Sequence, residues 1–148
     1  MINVISEGSN YKAVDIGSLN QLSDYDFVHP KLGHTVKNKL FIGEILKLTG
    51  AEISFTGLPP KTTISFLHKH KKHEEIYIFI KGFGQFQVDN NVFQINEGSI
   101  VKVSPDGSRT LRNDSENNMI YIVVQTVSGT MDGYNISDGY RIDGEIKI

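Results

Sequence analysis

The sequence predicts an all-β chain, an antiparallel barrel or sandwich preceded by one short helix. Three observations carry that expectation. From residue 51 onward, short runs rich in apolar residues recur at 51–58, 63–70, 74–81, 83–88, 92–95, 99–103, 109–112 and 118–127, each of strand length. Turn-forming residues fall between them: Pro59-Pro60, Gly82, Asp89-Asn90-Asn91, Glu97-Gly98, Pro105-Asp106-Gly107 and 114–117. The crossover helices that a parallel α/β sheet requires have no counterpart in the pattern.

Size and charge narrow the rest. A chain of 148 residues suits one domain that buries roughly 68–70% of its unfolded surface. We read 1–148 as that domain, with an N-terminal extension over 1–50, a core over 51–127 and a C-terminal extension over 128–148. Fifteen basic residues stand against 17 acidic ones, net −2, which gives no bulk electrostatic case for nucleic acid or membrane surfaces. No cysteine is present, so disulfide scaffolds, thiolate metal sites and cysteine nucleophiles are excluded. No apolar run approaches the roughly 20 residues of a membrane helix. Residues 1–15 lack a signal-peptide core, and a cytoplasmic location is expected.

Taken in order, residues 1–10 read as polar and short, and 11–16 as an early strand. Residues 18–39 form a long surface connection, with His29 and His34 exposed and outside any ligand set. For 40–50 we expect the short helix, because apolar pairs recur at Phe41/Ile42 and Ile45/Leu46 and Gly50 suits a C-cap. The tail alternates Asp-Gly turns with Tyr134, Ile136, Tyr140, Ile142, Ile146 and Ile148. So apolar a segment is expected to lie against the barrel or a neighbouring subunit.

The chemistry concentrates in His68-Lys69-His70-Lys71-Lys72-His73-Glu74-Glu75. On a strand over 63–70, His68 and His70 leave the same face with Cα atoms roughly 6.6 Å apart. Ile64 and Phe66 continue that face, and Lys69 points away. Glu75 opens the next apolar run, and a turn over 71–74 brings its carboxylate to the imidazoles. Glu74 shares its face with Ile76, Ile78 and Ile80, and His73 reads as a loop histidine. Two imidazoles and a carboxylate form a facial set for iron, manganese, nickel or zinc.

His68-x-His70, four residues, Glu75, six residues and Gly82 resemble the first motif of the cupins. Gly98, Pro105, Gly107 and Asn113 resemble the second. Two positions depart from it. Thr62 stands where the family often has a glycine, and the second motif's histidine is replaced by Arg109 or Thr110, depending on the direction of counting. The resemblance spans 53–127 and implies a double-stranded β-helix, or jelly-roll barrel, with His68, His70 and Glu75 as metal ligands. It also implies dioxygenase, isomerase or decarboxylase chemistry.

An inward Arg109 would offer its fork to a carboxylate or phosphate, so a small anionic organic substrate is expected. Tyr77, Tyr121 and Gln125 would line the same pocket. The rival expectation is a non-catalytic binding or sensing module without a complete metal site. Apolar residues on both faces, Ile76, Ile78 and Ile80 against Tyr77 and Phe79, and Ile120, Ile122 and Val124 against Tyr121 and Val123, suggest a homodimer.

Overall fold

The computed structural model describes residues 1–30, 33–134 and 138–148. Its centre is two facing antiparallel sheets. The larger has the order β10-β7-β12-β6-β5 and the smaller β11-β8-β9. Their strands are β5 (Lys39–Phe41), β6 (Glu52–Leu58), β7 (His73–Lys81), β8 (Phe83–Val88), β9 (Asn91–Asn96), β10 (Ile100–Val103), β11 (Arg109–Asn113) and β12 (Met119–Val127). Strand and turn spacing predict such an antiparallel architecture, and the cupin resemblance implies this jelly-roll form of it.

Alternation decides what each strand contributes. In β7, Glu75, Tyr77 and Phe79 are buried, while Ile76 and Ile78 are half-buried on the other face. Register aligns inner-face rows across the large sheet: Glu75 with Gln125 and Glu52, Tyr77 with Val123, Ser54 and Phe41, and Phe79 with Tyr121, Thr56 and Lys39. Phe86, Ile95 and Leu111 close the core from the smaller sheet. The Tyr77 and Phe86 rings meet edge to face, 4.9 Å between centroids, an arrangement that aromatic quadrupoles favour.

The turns obey backbone sterics. Gly82 links β7 to β8 at φ +92°, and a Cβ there would lie 3.1 Å from Met119 Cα. Only glycine takes that conformation without strain so close to a neighbouring strand.

Outside the two sheets lie hairpins β1 (Asn3–Gly8) with β2 (Tyr11–Asp15) and β3 (Asp26–Val28) with β4 (Thr35–Lys37), and a 3-10 helix over Leu19–Asp24. Leu22 of that helix is 2% exposed and packs over Gly57. The extension thus covers the β5–β6 end of the large sheet's outer face. Among the described residues no helix is long and apolar enough to cross a membrane.

Several local expectations need correction. Residues 1–10 contain β1, paired with the early strand β2. The connection over 18–39 holds two short strands and the 3-10 helix, as well as the start of β5. The helix expected over 40–50 shrinks to α1 (Gly43–Leu46). Leu40 and Phe41 instead pair with Phe55 and Ser54, and the helix ends at Lys47, in the left-handed conformation, rather than at Gly50. Tertiary pairing overrides the local apolar pattern there.

The regular strand expected over 63–70 is absent. That segment joins β11 through the isolated bridges Thr63–Arg112 and His68–Arg109 and through bonds at Ile64, without a continuous ladder. Phe66 is 59% exposed, so it does not continue the inward face. In the tail, Tyr134, Tyr140, Ile142, Ile146 and Ile148 are exposed, so they do not pack on the chain's own barrel. Ile136 lies outside the described residues.

Candidate metal centre

The candidate site lies where the polar row of the large sheet meets the irregular segment 62–72. Backbone bonds fix the two histidines. His68 N–H donates to Arg109 O at 3.3 Å, Arg109 N–H donates to His68 O at 3.1 Å, and His70 N–H donates to Pro105 O at 3.2 Å. The second-motif segment therefore holds the first-motif histidines in place. Glu75 reaches the same point from the buried face of β7, as expected, while Glu74 faces out to Lys102. One ligand atom from each of His68, His70 and Glu75 lies within 4.8 Å of the others.

The Glu75 carboxylate has two differently used oxygens. Oε1 lies 3.1 Å from His70 Nε2. Oε2 accepts from Tyr77 Oη at 2.6 Å, from Arg109 Nε at 3.0 Å and from Arg109 Nη2 at 2.5 Å. Arg109 is 0% exposed, and its Nη1 donates to Gly107 O. β11 thus resolves the ambiguity left by the missing histidine. Arg109, Leu111 and Asn113 face inward, while Thr110 is half-buried, its hydroxyl on Ile64 O, and Arg112 pairs with Asp114 at the surface.

Burial opposes ionisation of Glu75, but contacts from His68, Tyr77 and Arg109, with the Arg109 charge, outweigh it and hold the carboxyl well below its ordinary range. Burial raises Tyr77 and Tyr121 far above the usual phenol range, with the Glu75 charge adding to both, so both stay protonated. Burial also lowers His70, offset only in part by Glu75. That keeps the imidazole neutral, as a metal ligand must be.

These residues fit a divalent ion. The 3.1 Å separation of His70 Nε2 from Oε1 is close to that of two ligands sharing an ion about 2.1 Å away, and a His68 nitrogen lies within 4.8 Å of the other donors. His68 Nδ1 is buried without a hydrogen-bond partner, so no protein group fixes which ring nitrogen carries the proton. Oε1 would be the carboxylate ligand, because Oε2 is saturated by Arg109 and Tyr77. Those two then orient the ligand from behind.

The cavity beside these donors measures about 170 Å³ and is lined by Lys39, Phe41, Glu52, Ser54, His68, His70, Glu75, Val123 and Gln125. Of the expected substrate-facing residues, Gln125 lines it. Arg109 does not, and Tyr77 and Tyr121 are buried in the core at 5% and 3% exposure. Sequence reasoning missed Lys39, Phe41, Glu52 and Ser54. The polar-apolar alternation Glu52-Ile53-Ser54-Phe55-Thr56 marks a polar inner face, but Lys39 and Phe41 join it only through the β5–β6 register. His29 and His34 stack on each other in the β3–β4 hairpin, ring centroids 5.4 Å apart, outside the donor group.

A family model described as the cupin domain matches residues 54–125. A solved cupin protein from Bacteroides fragilis is 31% identical and superposes with a TM-score of 0.66 over 70% of this chain and 88% of that one. This chain is a cupin. An uncharacterised protein of Methanocaldococcus jannaschii is 27% identical over 95 residues, 62% of this cupin and 74% of that protein. A Thermotoga maritima protein described as a predicted oxalate decarboxylase shares the fold, at 18% identity and a TM-score of 0.53 over 70% of this cupin and 90% of that chain.

Proposed function

We propose that this cupin is a metal-dependent enzyme acting on a small anionic organic molecule. The observation that carries the reading is the convergence of the His68, His70 and Glu75 donors, within 4.8 Å, on the wall of a cavity. Iron, manganese, nickel or zinc suits two imidazoles and a carboxylate. A divalent ion held there supplies Lewis acidity and open coordination positions.

The chain's own residues set the rest. Arg109 neutralises the Glu75 charge, so the protein groups sum to zero with neutral imidazoles, and the loaded site is cationic. Anions are therefore favoured over neutral or cationic ligands. We assign Arg109 and Tyr77 to positioning Glu75, and Gln125 to touching the substrate from the adjoining strand. Tyr121 shapes the wall behind. The reaction classes that suit such a site are dioxygenase, isomerase and decarboxylase.

The same proposal describes one domain in a cytoplasmic homodimer. Ile80 and Ile100, 37% and 67% exposed, with half-buried Ile76, Ile78 and Ile122, leave an apolar outer face that a second copy would cover. Light scattering that returns a monomer removes the dimer.

A second reading, a non-catalytic binding module, draws on one observation: the Arg109 guanidinium already satisfies Glu75 without any ion. Elemental analysis of protein purified without chelator or histidine tag separates the two. Near-stoichiometric metal, abolished by His70→Ala, supports the enzyme and justifies a screen of small carboxylates and sugar phosphates. Metal-free protein after anaerobic reconstitution overturns it.

A further inference from the structure

The inner cavity is small: about 170 Å³ is comparable to cavities that hold a benzene-sized group, room for a compact head group. Its wall, however, is shared. Lys39, Phe41 and Glu52 also line an outer groove of about 500 Å³, together with Tyr25, Asp26, Phe27, Leu40, Glu44 and Ile45.

The two compartments differ in charge. In the inner one, Glu75 is neutralised by Arg109, and Glu52 Oε1 is occupied by the Gly43 and Ile53 N–H groups. Lys39 has no ion-pair partner among the described residues, and its Nζ sits 5.0 Å from the Phe41 ring centroid. Its ammonium is thus a cation on the inner cavity's wall that no ion pair holds, while the Glu52 carboxylate, still charged, is turned toward backbone N–H groups. The outer groove carries Asp26 and Glu44 beside the rings of Phe27 and Phe41, whose centroids are 4.6 Å apart. An anion is thus drawn inward and repelled outward, while the aromatic walls accept a flat tail.

We propose that the ligand is a two-part molecule: a carboxylate or phosphate head held by Lys39 in the inner cavity, and a flat, uncharged or cationic tail along Phe41 and Phe27 in the outer groove. This rests on the His68/His70/Glu75 cavity being the binding site, and it makes Lys39 the residue that selects the head group. Neither the charge balance of the composition nor the local pattern around Asn38-Lys39-Leu40 announces such a role. It arises when β5 lays Lys39 opposite Thr56 on the inner face.

The test is calorimetric titration of the full chain with phenyl phosphate, inorganic phosphate, phenylacetate and acetate, with metal per chain quantified in each sample. The ring-bearing anions are expected to bind at least about tenfold more tightly than their ringless counterparts. Lys39→Met should weaken all four by about tenfold or more, with metal content unchanged, and Lys39→Arg should restore binding. Phe41→Ala should bring each ring-bearing anion to within about threefold of its ringless counterpart. The stronger binder of the two ring-bearing anions identifies the head. Unaltered affinity in Lys39→Met, no gain from the ring, or no binding of any of the four overturns the assignment. Anion binding that persists in a protein unable to hold metal removes the metal reading and leaves this one standing.

Discussion

Arg109 and Asn113 stand four residues apart on the same face of β11, with Leu111 between them, and both side chains are fully buried. They satisfy burial in opposite ways. Asn113 Nδ2 donates to the carbonyls of Leu58, Pro59 and Asn117, and its Oδ1 accepts from Ser115 N–H and Oγ. Nearly all its partners are backbone, so it ties the Leu58–Pro59 segment to the turn after β11 and leaves nothing for a ligand. Arg109 pairs with an ionised side chain 34 residues away in sequence, and that side chain keeps its second oxygen on the cavity. A buried polar group thus serves the fold when its partners are backbone groups, and the site when its partner is a side chain with capacity left over.

The comparison is open to direct challenge. Glu75→Ala should give the largest effect, because it strands the Arg109 charge in the interior. About 3–5 kcal/mol of stability should be lost, measured by urea denaturation, along with the bound metal. A loss below about 1 kcal/mol would mean that the guanidinium finds water or another partner.

Asn113→Ala comes next. Removing a buried amide leaves carbonyls without donors, at a cost of about 2–3 kcal/mol, yet metal content and anion affinity should be unchanged. A change in either would erase the distinction between the two ends of β11.

Acid titration sharpens the contrast further. The folded carboxyl of Glu75 titrates below its ordinary 4.5, so between the two values protons bind the unfolded chain first. The stability it contributes is complete above about pH 4.5 and declines as pH falls through the folded value. Glu75→Gln should flatten that limb of the stability profile, and Asn113→Ala should lower the whole profile without changing its slope. Thermal melts across that range read both.

The smallest effect belongs to Arg112→Ala. Its ion pair with Asp114 is exposed, the arginine side chain at 46%, and such pairs contribute about 0–1 kcal/mol. A larger loss would show that the outer face of β11 matters more than its exposure suggests.

The parts of this architecture that were legible in the sequence are those governed by period. Alternation sorts the side chains of β7 into two sets, Glu74 with Ile76, Ile78 and Ile80 and Glu75 with Tyr77 and Phe79, and the spacing of the first motif chose Glu75. His68 and His70 were legible as a pair because Lys69 between them must point elsewhere. What was hidden depends on distant pairing. Segment 62–72 joins β11 through scattered bonds rather than a continuous ladder, and Phe66, which looks like a core residue by type and spacing, stands in solvent. Whether Arg109 or Thr110 turns inward is a question of β11 register against β8, where Arg109 lies opposite Val88 and Thr110 opposite Gln87. Lys39 was invisible for the same reason: nothing in its neighbours tells an edge strand from the start of a helix, and a long cationic side chain ordinarily reads as surface.

Arg109 grips His68 through its own backbone and Glu75 through its guanidinium. The imidazole and the carboxylate, one on segment 62–72 and the other on β7, are therefore tied to a single residue of β11. Much of the ordering that a ligand would otherwise have to impose is complete once the chain has folded. The centre behaves as one rigid fitting with His70 as its adjustable jaw, held separately by Pro105.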